Sequence, residues 1–127
     1  MLEKYLRQLI AEFNLDALSP LDENQMFSLK LNDFEIALKQ LDPGIYLHSK
    51  IIPFLPEYRK EATLSLLMQA NFLGQGTGGS TLGLTEDESF LTLSLGLAYE
   101  MNYKEFKDVI EDFLNFLDYW KVKLTSK

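Results

Sequence analysis

The residues best placed to do chemistry are a glycine-rich run, one histidine and two sets of acids. The run at residues 71–84, NFLGQGTGGSTLGL, puts five of the chain's seven glycines within positions 74–83. Glycine lets successive backbone N–H groups curl around an anion, and a helix N-terminus behind such a loop would add its dipole. A nucleotide- or phosphate-binding loop over residues 74–83 is therefore one reading. The order of elements opposes it, because a nucleotide loop follows a strand and opens a helix, with a Gly-Lys-Ser/Thr ending or a GxGxxG fingerprint. Here an apolar helical stretch comes first, a strand follows, and no lysine falls between Lys60 and Lys104. A turn that leads a helix out into a sheet fits these residues better.

His48 is the single histidine and sits among apolar residues in a strand-like stretch, so no Ser-His-Asp constellation can be built around it. Glu86, Asp87 and Glu88 could attract a divalent cation, but they lack the alternating ligand spacing and central glycine of a calcium loop. A solvated hairpin turn accounts for them. Glu105, Asp108, Glu111, Asp112 and Asp118 recur at helical spacing in the last helix, opposite its apolar stripe. In water they keep ordinary carboxylate behaviour and form no dry catalytic site. No catalytic residue, metal ligand or cofactor site is expected, and the chain does not read as an enzyme.

Composition narrows the classes further. The 127 residues fit one domain over residues 1–127 with a single core. Nineteen acidic against twelve basic residues leave a net charge of −7, which opposes nucleic-acid binding and favours basic or amphipathic peptide partners. Without cysteine there can be neither disulfides nor thiolate metal sites, which suits a reducing compartment. No apolar run approaches the roughly 20 residues that span a bilayer. MLEKYLRQLIAEF spreads charges where a signal peptide would carry an unbroken apolar segment, so a cytoplasmic helix is expected there.

The elements that position these residues follow from apolar spacing. Leu2, Leu6, Leu9, Ile10 and Phe13 form the stripe of a first amphipathic helix. Phe27, Leu29 and Leu31 alternate with polar residues, as do Phe34, Ile36 and Leu38, and Asn32-Asp33 between them is a two-residue turn signal. Asp42-Pro43-Gly44 turns the chain into a third strand over residues 45–52. A second helix is expected over residues 57–73; its rear half is apolar almost all round and demands cover on more than one side. A second copy of the chain is the most economical cover. Residues 81–84 and 90–97 make a second hairpin. In the last helix Tyr103, Phe106, Ile110, Phe113, Leu117 and Trp120 face the core, behind a capping box formed by Asn102 and Glu105. The fold class is α+β, an antiparallel sheet of about five strands with three helices in the order α-β-β-β-α-β-β-α, dimeric.

The run LLMQANFLGQGTGG at residues 66–79, leading into Leu82-Gly83-Leu84, an acidic turn, a leucine-rich strand and a helix ending DFLNFLDYW at 112–120, resembles the class I chaperones of bacterial type III secretion, the CesT and SycE group. Leu66, Leu67, Asn71, Phe72, Leu73, Gly74, Thr77, Gly78 and Gly79 match that family's helix-to-loop motif. The resemblance implies a small acidic cytoplasmic protein that binds the N-terminal, non-globular segment of secreted effectors. It would keep that segment secretion-competent and help target it to the secretion ATPase, without a cofactor, nucleic acid or membrane. It also implies a homodimer or one subunit of a heterodimeric chaperone. For the dimer interface the expected residues are Leu64, Leu67, Met68, Leu82 and Leu84. For effector binding they are Phe13, Leu15, Leu18, Phe27, Leu29, Phe34 and Ile36, an apolar surplus at the free side of the sheet.

Overall fold

The computed structural model describes residues 2–18, 21–53, 80–85, 87 and 89–125. Helix α1 (Leu2–Phe13) buries Leu2, Leu6 and Leu9, the stripe that its i, i+4, i+7 spacing demands. It is followed by β1 (Met26–Leu31), β2 (Phe34–Leu41), β3 (Gly44–Pro53), β4 (Thr81–Leu84), β5 (Phe90–Leu97) and α2 (Tyr103–Thr125). The five described strands form one antiparallel sheet in the order β1-β2-β3-β5-β4, with β1 and β4 as its edges among the described residues. The α+β class and the five-stranded antiparallel sheet are thus as the sequence implies. The helix expected over residues 57–73, with Leu64, Leu67 and Met68, lies outside the described residues, as do positions 74–79 of the glycine-rich run.

Register follows from turn chemistry and alternation. Asn32 and Asp33 both take positive φ, 48° and 70°, the mirror-image turn that matches strand twist. That turn fixes Leu31 opposite Phe34, Leu29 opposite Ile36 and Phe27 opposite Leu38. Across the next ladders Leu38 meets Leu47, Leu47 meets Leu95, and Leu93 meets Leu82. Because strand side chains alternate, this whole set faces one side, where α1 and α2 pack. Phe106, Ile110, Phe113, Leu117 and Trp120 of α2 close the core against it. Between Lys50 and Ile52 the β3–β5 register shifts by one residue at a bulge.

This packing corrects one expectation. Phe27, Leu29, Phe34 and Ile36 are buried, with Ile36 fully covered, and do not supply an exposed patch. Alternation points all four at the helix-bearing face, and Lys121 of α2 places its ammonium 5.3 Å from the Phe34 ring centre. Leu82 is likewise buried within its own chain, while Leu84 is half-buried beside it.

The capping box at the start of α2 is formed as its sequence implies. The Glu105 backbone N–H donates to Asn102 Oδ1 at 2.8 Å, and the Asn102 N–H donates to Glu105 Oε1 at 3.0 Å.

Candidate functional site

The end of α1 shapes an apolar depression. Asn14 adopts φ 52°, the left-handed conformation that stops a helix, and the Leu15 N–H donates to the Ile10 carbonyl at 3.0 Å. Together these make a Schellman cap, in which the residue after the left-handed one folds back against the last turn. The cap leaves Phe13 56% exposed and carries Leu15 back beside it.

Phe13 and Leu15 form one wall of a groove of about 540 Å³, with Leu9 of α1 and Leu31 and Asn32 at the β1–β2 turn. Lys104, Lys107, Asp108, Ile110, Glu111 and Leu114 of α2 form the other wall. The floor is apolar and the rim is charged.

One rim contact joins the two helices. Glu12 accepts hydrogen bonds from the Tyr103 hydroxyl at 3.0 Å and from the Lys107 ammonium at 2.8 Å, one on each carboxylate oxygen. The bond from Lys107, foremost, and that from Tyr103 hold the Glu12 carboxyl below its usual range. Burial, and then the Glu12 carboxylate, push the Tyr103 phenol up to about 12. Deeper in, the Tyr5 hydroxyl donates to the Met101 carbonyl at 2.8 Å, and its ring lies 5.5 Å from that of Phe106. These contacts set the angle between α1 and α2, and so the width of the groove.

Of the expected effector-binding residues, the structure brings Phe13 and Leu15 into this groove, packs Leu18 half-buried against the core, and gives Phe27, Leu29, Phe34 and Ile36 to the interior. Sequence reasoning missed Leu9, Leu31 and Leu114 as lining residues. It also missed Asn14, although an Asn directly after the last periodic residue of a helix is a known stop signal.

Of the other candidates, His48 and Asp87 lie among the described residues and are not in contact with one another. His48 is half-buried on β3 with Nδ1 2.8 Å from Ser94 Oγ, and among the described residues no carboxylate hydrogen-bonds it. Burial, foremost, and the Lys50 charge lower its pKa, so the imidazole is neutral near pH 7. Asp87 Oδ1 accepts from Thr85 Oγ1 at 2.7 Å, Ser89 Oγ at 2.6 Å and the Ser89 N–H at 3.1 Å. Those donors, the Ser89 side chain first, hold its carboxyl at about 2 and make it the lock of a hairpin turn. Among the described residues no group of three or more His, Cys, Asp or Glu could hold a metal ion, and no helix is long and apolar enough to cross a membrane.

Comparison with known proteins adds to this geometry. The model of the Tir chaperone protein (CesT) family matches residues 4–121. The chain belongs to the CesT family. It thereby joins the class I type III secretion chaperones that residues 66–84 and 112–120 resemble. Solved structures share the CesT-family fold seen here. The HopA1–SchA chaperone–effector complex aligns at TM-score 0.66 and 13% identity, over 94% of this chain and 91% of that one. The ExsC–ExsE complex aligns at TM-score 0.69 and 18% identity, over 94% and 90%. YbjN from E. coli aligns at TM-score 0.58 and 16% identity, over 88% and 85%. No curated protein matches the sequence significantly. At such identities the structural likeness establishes the fold of this CesT-family chain and nothing finer.

Proposed function

We propose that this CesT-family chain is a cytoplasmic type III secretion chaperone that binds the N-terminal, non-globular segment of one or more secreted effectors and keeps it secretion-competent. The groove between the end of α1 and α2 carries this reading. It joins a large exposed aromatic ring, an apolar floor and a charged rim next to a sheet edge. An extended client can lay apolar side chains into such a groove and add backbone hydrogen bonds at β1. Phe13 is 56% exposed. Covering it recovers roughly half of the about 1.5–3 kcal/mol that full burial of a phenylalanine contributes. That one structure of this fold is of a chaperone–effector complex supports the same direction.

The working unit in this proposal is a homodimer, or a pair with a related chaperone subunit. Residues 64–73, apolar almost all round in sequence, supply Leu64, Leu67 and Met68 to the proposed interface, and β4, an edge strand among the described residues, supplies Leu84. Delivery of the client to the secretion ATPase completes the role. Neither catalysis nor a cofactor enters it.

Co-expression with the N-terminal segments of secreted proteins encoded beside its gene tests the proposal. A client segment should co-elute with the chain in gel filtration, and Phe13→Ser should abolish co-elution while leaving the melting temperature unchanged. A 14.7 kDa monomer by light scattering at micromolar concentration would remove the dimer. Retention of every client by Phe13→Ser would remove the groove.

A further inference from the structure

The charges on the groove's α2 wall are ordered. Lys104 lies toward the start of the helix, Asp108 one turn on and Glu111 two turns on, all three exposed at the groove. Lys107 is already engaged by Glu12 at 2.8 Å. Among the described residues no ion pair involves Lys104, Asp108 or Glu111, and Lys104 is therefore the wall's available cation. Seven residues of helix separate Lys104 from Glu111, about 10 Å along the axis. Between the two ends the floor is apolar, from Ile110 and Leu114 on one side and Phe13 and Leu15 on the other.

A net charge of −7 taken alone would select uniformly basic clients. The wall asks for something else at its Lys104 end. A second base placed there would lose water and meet an ammonium, while an acid would meet its complement, and such juxtapositions govern partner choice more than total charge does.

Resting on the client-binding reading above, we propose that the groove selects dipolar client segments: an extended apolar stretch with one acidic and one basic side chain on the same face. The acid faces Lys104, and the base faces Asp108 and Glu111. In an extended chain, same-face residues two or four apart are separated by about 7 or 14 Å, which brackets the 10 Å between the charges on the wall. The acid and base are therefore two or four positions apart, with an apolar residue next to them seated against Phe13. Uniformly acidic or uniformly basic apolar segments are disfavoured.

A random 15-residue peptide library displayed on phage, selected separately against purified wild-type protein, Lys104→Glu and Phe13→Ser, tests this. Wild type should enrich apolar peptides whose acid and base are two or four residues apart. Lys104→Glu leaves Lys107, already paired with Glu12, as the wall's remaining cation, and should replace the acid with a second base in the enriched pool. Individual dipolar peptides should then bind it at least fivefold more weakly than wild type by fluorescence anisotropy. Enrichment that Phe13→Ser abolishes but that has no acid–base spacing, or that Lys104→Glu leaves unchanged, would overturn the dipolar selection and leave the client groove intact. If wild type enriches no more than Phe13→Ser does, the groove and the dipolar selection fall together.

Discussion

Glu12 and Lys107 stand 95 positions apart in sequence and 2.8 Å apart in space, and their contact ties the last turn of α1 to the second turn of α2. Tyr103 donates to the same carboxylate, so its phenol reports the state of the clamp. In the folded chain Tyr103 should titrate at about 12, against an ordinary value of 10.0. Glu12→Gln should lower that value without restoring 10.0, because burial, the larger cause, remains. The sign for stability follows from linkage. The unfolded chain gives up this proton first, so the Tyr103 contribution is intact below pH 10.0 and is lost as pH rises toward about 12. Carbon NMR of ring-labelled tyrosine across alkaline pH reads the shift directly.

Asn14 is predicted to act on binding through position alone. Its left-handed backbone, φ 52°, costs asparagine little, glycine less and a β-branched residue far more. Asn14→Gly should therefore be neutral or slightly stabilising, and Asn14→Val should cost about 1–2 kcal/mol. Because the cap also carries Leu15 to the groove, Asn14→Val should weaken client binding at temperatures where the fold is intact. Urea melts paired with client affinity separate the two effects.

Phe34 and Phe13 should respond in opposite ways to the same change. Phe34 is 4% exposed, and Phe34→Ser should cost about 3–5 kcal/mol through lost burial and the cavity left behind. Phe13 is 56% exposed, and Phe13→Ser should shift stability by less than about 0.5 kcal/mol while removing the groove's aromatic wall. Thermal denaturation of the two variants distinguishes core from site.

Gly44 tolerates no side chain. Its φ is +110°, and a Cβ built there would lie 1.8 Å from the Leu97 carbonyl oxygen, a backbone atom that cannot rotate away. Gly44→Ala should cost at least about 2 kcal/mol, combining backbone strain with a forced separation of β3 from β5. Chemical denaturation, with the midpoint compared to wild type at equal m-value, measures it.

What was legible in the sequence was local. The apolar stripe of α2, its Asn102–Glu105 cap, the Asn32-Asp33 turn and the alternation of β1 and β2 each express a period or a short-range hydrogen bond, and each appears in the structure. Alternation also showed that Phe27, Leu29, Phe34 and Ile36 share a face. It did not show which face the helices cover, and that is why those residues were expected in a patch and stand in the core. The groove was not legible because no period encodes it. Leu9, Leu15, Leu31 and Leu114 come from three elements and a cap, and they meet only once α1 crosses α2 at the angle set by Glu12 and Tyr5.

The most direct measurement of the central claim is site-specific photocrosslinking in the native cell, with a photoreactive phenylalanine analogue in place of Phe13 and a second preparation carrying it at exposed Tyr119 on α2 as a control. Mass spectrometry of the adducts should find the Phe13 probe joined to the N-terminal, non-globular segment of a secreted protein, and the Tyr119 probe not joined to it. Adducts confined to folded domains, or equal capture of the same segment from both positions, would contradict a client groove at the end of α1.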